Sequence, residues 1–220
     1  MGGRGSRSKR NGFSGGSAGG GRVPTNTEDF KYARLGVNRQ FGYEIDKLGQ
    51  NMMNEFPALR DTQIQLYSSN SNVYALGGNG TVYLNRKYFA NENLERSYAN
   101  DVKAGFHPKG TSAIDIVAHE YGHVAHDTII GKYKNGDTLF GQTVKGNNVP
   151  NIIVETAANN LNKQTGSNKN AGQYASMISR YANYNPSEMI AEAFADYNAN
   201  KNKARPISRE IIRLMKGELQ

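Results

Sequence analysis

No cysteine occurs among the 220 residues, which excludes a disulfide framework and a thiolate metal site. Any metal ion must therefore be held by His, Asp or Glu. The absence does not decide on which side of a membrane the chain works. There is also no run of about 18 apolar residues, so no segment reads as a membrane span. Residues 1–21 carry basic side chains but no apolar stretch of the kind a secretory signal needs, which predicts a chain synthesised in the cytoplasm. No internal repeat is present, which excludes solenoid and propeller architectures.

Acidic residues are missing from residues 1–22, which hold Arg4, Arg7, Lys9, Arg10 and Arg22. Five of the eight net positive charges thus sit in this stretch, and the rest of the chain is close to balanced. The stretch is mostly Gly, Ser and Arg and cannot bury enough apolar surface to offset its ordering entropy. It reads as a disordered tail over residues 1–25, ahead of one domain over residues 26–220. Such a tail either makes weak contact with nucleic acid or another polyanion, or serves only as a solubilising leader.

Within the domain, the pattern from Asn26 to Phe56 is helical. Phe41, Ile45, Leu48, Met52 and Phe56 recur at spacings of four and three, and Pro57 ends the run. Three short β-rich runs follow: 64–67, 73–76 and 81–84. The last two flank Gly77-Gly78-Asn79-Gly80, whose residues supply the positive φ angles of a tight hairpin. Residues 86–110 read as polar and irregular, with His107 as a loop histidine. Thr111 or Ser112 can cap the next helix, Ile114, Val117, Tyr121 and Val124 form its apolar stripe, and Gly131 is the expected stop. Helical patterns return at about 151–163, 171–183, 186–200 and 207–216. Strands first and helices after predict an α+β domain with a small antiparallel sheet.

The helix after Ser112 carries His119-Glu120-Tyr121-Gly122-His123. Residues i and i+4 lie on one helical face, so His119 and His123 can present two imidazoles to one Zn²⁺. Glu120, about 100° away around the helix, can reach a water beside the ion without ligating it, and serve as general base. An extended motif with a third histidine would place Gly at 126 and His at 129, and the chain has His126 and Ile129 there. Asp127, one turn on, is one remaining option for the third ligand. The better one is the segment 185–196, where Asn185 can cap a helix, Pro186 suits its first position, and Glu188, Glu192 and Asp196 share a face. Three stacked carboxylates repel one another unless a cation or donors sit opposite. Glu188 can equally be a capping-box residue, and Glu192 and Asp196 a solvated face. On spacing alone, Glu188 and Glu192 are tied as ligand.

The order His119-Glu120-Tyr121-Gly122-His123, then Tyr181, then Glu188-Met189-Ile190-Ala191-Glu192-Ala193-Phe194 resembles the peptidase domain of anthrax lethal factor and its relatives, which include the Pro-Pro endopeptidases. The resemblance covers roughly residues 110–215. It implies a zincin-like fold of the gluzincin type and a zinc-dependent endopeptidase acting on a protein or peptide substrate. In it Glu188 is the third zinc ligand and Tyr181 donates to the developing oxyanion. Glu192 is a carboxylate that orients a ligand, and Asp127 matches a second supporting acid, whereas His126 departs from the acid more usual at its position. The substrate strand is expected along the 73–85 hairpin. More loosely, Gly105-Phe106-His107-Pro108 and the first residues are similar to bacteriophage and prophage proteins. That similarity carries the alternative of a virion-associated structural or morphogenesis protein whose metal site only stabilises the fold.

Overall fold

The computed structural model describes residues 21–22, 37, 39–91 and 93–220. The readings for residues 1–20 and 23–36 therefore lie outside the described residues. These include most of the basic tail with its polyanion contact, and the start of the first helix. Within the tail, Gly21–Arg22 (β1) form a two-residue strand.

The first helix, α1, spans Arg39–Glu55 and buries Phe41, Ile45, Leu48 and Met52. It ends where expected, because Pro57 lacks an N–H and holds Phe56 in an extended conformation (φ −134°). Strands β2 (Gln63–Tyr67), β3 (Ala75–Gly78) and β4 (Thr81–Asn85) join β1 in a sheet of order β1-β2-β4-β3. Asn79 and Gly80, both at positive φ, make the tight turn that pairs β3 antiparallel with β4.

The sheet is mixed, which corrects the expectation of an antiparallel one. Strand β2 runs parallel to β4, with Ile64 beside Val82 and Leu66 beside Leu84. The physical reason is the shared apolar face. All four side chains are buried, and this alignment puts them on one side of the sheet. The loop over residues 68–74 then carries the chain past β4 to the outer edge, leaving β3 as an edge strand.

Residues 86–110 are irregular only in part, from 104 to 110 and between two helices. They form α2 (Arg86–Phe89) and α3 (Leu94–Lys103), the first capped by the Asn85 side chain accepting from the Lys87 N–H. Helix α4 covers Asp115–Lys132, passes through Gly131, and is closed at its start by the reverse of the expected cap. Asp115 accepts from the N–H and O–H of Ser112 at 2.8 and 3.1 Å. After a small hairpin, β5 (Thr138–Leu139) with β6 (Gln142–Thr143), come α5 (Val149–Thr165), α6 (Ala171–Ile178), α7 (Pro186–Asn200) and α8 (Pro206–Glu218). The run expected over 171–183 is broken, with a separate short helical turn at Tyr181–Asn183.

Helix α4 is the centre of the molecule. It packs on β3 on one side and α7 on another, and buries every residue from Asp115 to His126. Both contacts need glycine. A Cβ on Gly77 of β3 would stand 2.3 Å from the Glu120 carbonyl oxygen, and one on Gly122 would stand 2.7 Å from Ala191 Cα of α7. The edge strand and α7 are therefore held against the backbone of α4 itself.

Gly122→Ala should destabilise the fold by about 1–3 kcal/mol, because backbone rather than a flexible side chain must give way. Gly217 of α8, with no heavy atom near its would-be Cβ, provides the contrast. Gly217→Ala should be neutral or stabilising by up to about 1 kcal/mol. Urea unfolding of the two variants checks both, and equal effects would show that the α4–α7 approach is not tight.

Candidate metal centre

A helix buried on all sides is ordinarily apolar, yet α4 buries His119, Glu120, His123 and His126. Each polar group so placed needs a partner or an ion. His119 and His123, one turn apart, bring their Nε2 atoms to 3.3 Å. Glu188, in the first turn of α7, places Oε2 at 3.3 Å from His119 Nε2 and 3.4 Å from His123 Nε2. Asn185 does cap α7, accepting from the Glu188 N–H at 2.9 Å, but the Glu188 carboxylate turns into the centre. The capping-box and solvated-face alternatives both fail, since Glu188, Glu192 and Asp196 are all buried.

The outer nitrogens show which way the imidazoles face. His119 Nδ1 lies 2.9 Å from Glu192 Oε1, and a carboxylate can only accept, so Nδ1 carries the proton and Nε2 turns a lone pair inward. His123 Nδ1 lies 3.1 Å from His126 Nε2, and His126 Nδ1 lies 3.2 Å from Asp127 Oδ1. A proton on His123 Nδ1 satisfies its contact with His126 Nε2 and leaves the His123 Nε2 lone pair facing the same point. Two lone pairs and a carboxylate oxygen then meet at 3.3–3.4 Å, which is repulsive unless a positive charge sits between them. Donor atoms bound to one tetrahedral Zn²⁺ at about 2.0–2.1 Å are held about 3.3–3.4 Å apart, so the residues present fit that ion.

The electrostatics agree. Burial alone would raise Glu188, but its contacts with His119 and His123 hold it well below the usual carboxylate range. Burial likewise opposes ionisation of Glu192, and the neighbouring His107 and His119 overcome it. For His119, burial disfavours the charged form, yet Glu188 and Glu192 raise its pKa well above the ordinary value. The site favours a cation at this point, whether a proton or a metal ion. Glu120 is different: burial, with Glu188 and Glu192 adding, pushes it up to about 8 against the opposing pull of His119. Its Oε2 is buried without a hydrogen-bond partner. A ligand atom from each of His119, Glu120 and His123 falls within 4.8 Å of the others.

Tyr181 is buried, with its ring stacked on that of His119 at 5.6 Å and 15° and on Phe106 at 4.9 Å and 21°. Its hydroxyl is buried, and burial followed by Glu188 and Glu120 raises its pKa, so it keeps its proton. His119, Glu120, His123, Tyr181, Glu188 and Glu192 thus lie in or beside one buried centre, Asp127 reaching it only through His126. Asp127 also accepts from the Asn79 N–H of the β3–β4 turn at 3.0 Å. Asp196 is not part of the centre. It pairs with Arg205 and accepts from Asn200 Nδ2 at 2.8 Å.

Sequence reasoning missed two residues. His107 lies in a loop as expected, but it is buried there and its Nδ1 lies 3.0 Å from Glu192 Oε1. Ser179 donates to Glu192 Oε2 at 2.7 Å. The chain has four histidines and all four are buried here, a concentration that could have flagged His107. Nothing in the sequence marks Ser179.

Asp127→Ala should loosen the β3–β4 turn without unfolding α4. The half-exposed bond it removes contributes about 1 kcal/mol, so amide exchange at Asn79 should quicken roughly fivefold while the α4 amides keep their rates. Unchanged exchange at Asn79 would mean that the turn is held by its own geometry. No protein family model, curated protein or solved structure matches the chain.

Proposed function

We propose that the chain is a zinc-dependent endopeptidase with a zincin-like fold of the gluzincin type. The observation that carries the reading is the triangle of His119 Nε2, His123 Nε2 and Glu188 Oε2, with edges of 3.3–3.4 Å, beside a buried and unpartnered Glu120 oxygen. A closed structural site would need a fourth protein ligand in place of a carboxylate that has no bond to make. The motif order that resembles the lethal factor peptidase domain assigns the same ligands.

A zinc ion held by His119, His123 and Glu188 would supply Lewis acidity toward a peptide carbonyl and lower the pKa of water. Glu120, next in the chain to a ligand, takes the proton of the attacking water and passes it to the leaving amine. A carboxyl group held near neutral pKa by burial is suited to moving a proton in both directions. Tyr181 keeps its proton and donates to the oxyanion that develops on the former carbonyl. Its stacking between Phe106 and His119 fixes the ring, so little reorganisation is needed at that step. Strand β3 pairs only with β4 among the described strands and lies over Glu120, so its free edge is where an extended substrate adds a strand.

Metal analysis by mass spectrometry, after purification without chelator, tests the reading. The wild type should carry about one zinc per chain, Glu188→Ala should lose it, and Glu192→Ala should hold it about 10–100-fold more weakly. Glu120→Gln should keep the zinc and lose about 10²–10⁴-fold in peptide hydrolysis, and Tyr181→Phe about 10²–10³-fold in kcat. A folded wild type that neither carries nor takes up zinc would sink the proposal.

A further inference from the structure

The segment Gly105-Phe106-His107 meets both Glu192 and Tyr181 and supplies none of the groups that hold the metal or act on substrate in the proposed reaction. It leaves the end of α3 through backbone bonds from the Gly105 N–H to the Val102 carbonyl and the Phe106 N–H to the Asp101 carbonyl, both 2.9 Å. It then pairs with the chain ahead of α7. The Arg180 N–H donates to the Gly105 carbonyl at 2.9 Å and the Tyr181 N–H to the Phe106 carbonyl at 3.1 Å. The next side chain, His107, stacks on Tyr98 at 4.7 Å and meets the Glu192 carboxylate.

Glu192 Oε1 lies between two imidazoles, 3.0 Å from His107 Nδ1 and 2.9 Å from His119 Nδ1, while Oε2 accepts from Ser179. Glu192 is fully buried and His107 is 7% exposed, so no solvent competes for these bonds. A carboxylate bonded to His119 alone could rotate about its last torsion, which is broad and roughly two-fold. Ser179 sets Oε2, and His107 sets the position of Oε1 independently of His119, so the carboxylate is held from outside the ring that it orients. We propose that His107 is a positioning residue: by donating to Glu192 it fixes the carboxylate that in turn holds the His119 ring and its Nδ1 proton, so that Nε2 faces the metal. The Tyr98 stack sets the plane of the His107 ring, and the pairing with residues 180–181 ties the same segment to Tyr181. One segment thereby locates both a ligand and the oxyanion donor.

The cobalt readout below rests on the metal-site reading, and the resonance readout does not. The full chain is compared as wild type, His107→Asn, which keeps an N–H near the Nδ1 position, and His107→Leu, which removes it. Each is titrated with Co²⁺, whose visible bands report ligand geometry. His107→Leu should bind Co²⁺ about 10–100-fold more weakly with altered bands, and His107→Asn should return affinity and spectrum close to wild type. Should His107→Leu fail to fold, His107→Gln takes its place, because its amide reaches the Nε2 rather than the Nδ1 position. Wild-type affinity and spectrum in the variant without the donor would overturn the proposal and leave His107 a packing residue.

The downfield imidazole N–H resonances of His107 and His119, recorded with no metal added, separate the two readings. Both should be present and protected in the wild type, with that of His119 broadened by exchange when the His107 donor is removed. An unchanged His119 resonance in that variant would also overturn the proposal. Protected resonances that respond as expected, in a wild type that takes up no Co²⁺, would remove the metal reading while the positioning role stands.

Discussion

The close crossing of α4 and α7 at Gly122 and Ala191 is the constraint on which the rest of the molecule depends. A would-be Cβ at Gly122 lies 2.7 Å from Ala191 Cα, so the two helices meet at backbone distance. Ala191 stands between Glu188 and Glu192, and Gly122 stands beside His123 and three residues after His119. Fixing that one contact brings the four side chains together. A wider crossing, padded by larger side chains at 122 and 191, would carry Glu188 Oε2 out of reach of both imidazoles. Small residues at a helix crossing are usually read as packing; here the packing sets the geometry of the candidate metal centre.

The second constraint is electrostatic. Burying a charged side chain costs several kcal/mol per ion after relaxation, and the penalty is offset only by close partners. Glu192 meets the cost with three donors, and Asp196 with Arg205 and Asn200. Glu188 Oε2 and Glu120 Oε2 are buried without a hydrogen-bond partner. Two satisfied carboxylates thus stand beside two unsatisfied ones. The unsatisfied pair lies at the point where a cation fits, which separates the carboxylates with partners of their own from those left without them.

The same division explains what was legible in the sequence. Helix α1, the hairpin and the metal motif are local patterns, visible because spacing along the chain becomes a shared face. Glu188 and Glu192 were tied on spacing, since i and i+4 share a face whichever one ligates. Only the position of α7 against α4, a tertiary fact, distinguishes them. Helices α2 and α3 were missed because their apolar stripe is short, with Phe89, Leu94 and Tyr98 the residues that bury it. The parallel β2–β4 pairing was missed because a long-range register leaves no local mark. His107 and Ser179 act across gaps of 85 and 13 residues to the same carboxylate, which no spacing rule anticipates.

One imidazole meets both carboxylates of the four-residue step on α7. His119 meets Glu188 through Nε2 at 3.3 Å and Glu192 through Nδ1 at 2.9 Å. The two nitrogens face different ways from one ring, and two contacts of this length can reach groups separated by about one helical pitch, 5.4 Å. Carboxylates eight residues apart stand two turns away, which is where Asp196 is found with partners of its own. The four-residue step on α7 therefore answers the four-residue step on α4. On α4 it points two imidazoles at one site, and on α7 it lets one imidazole be gripped at both ends.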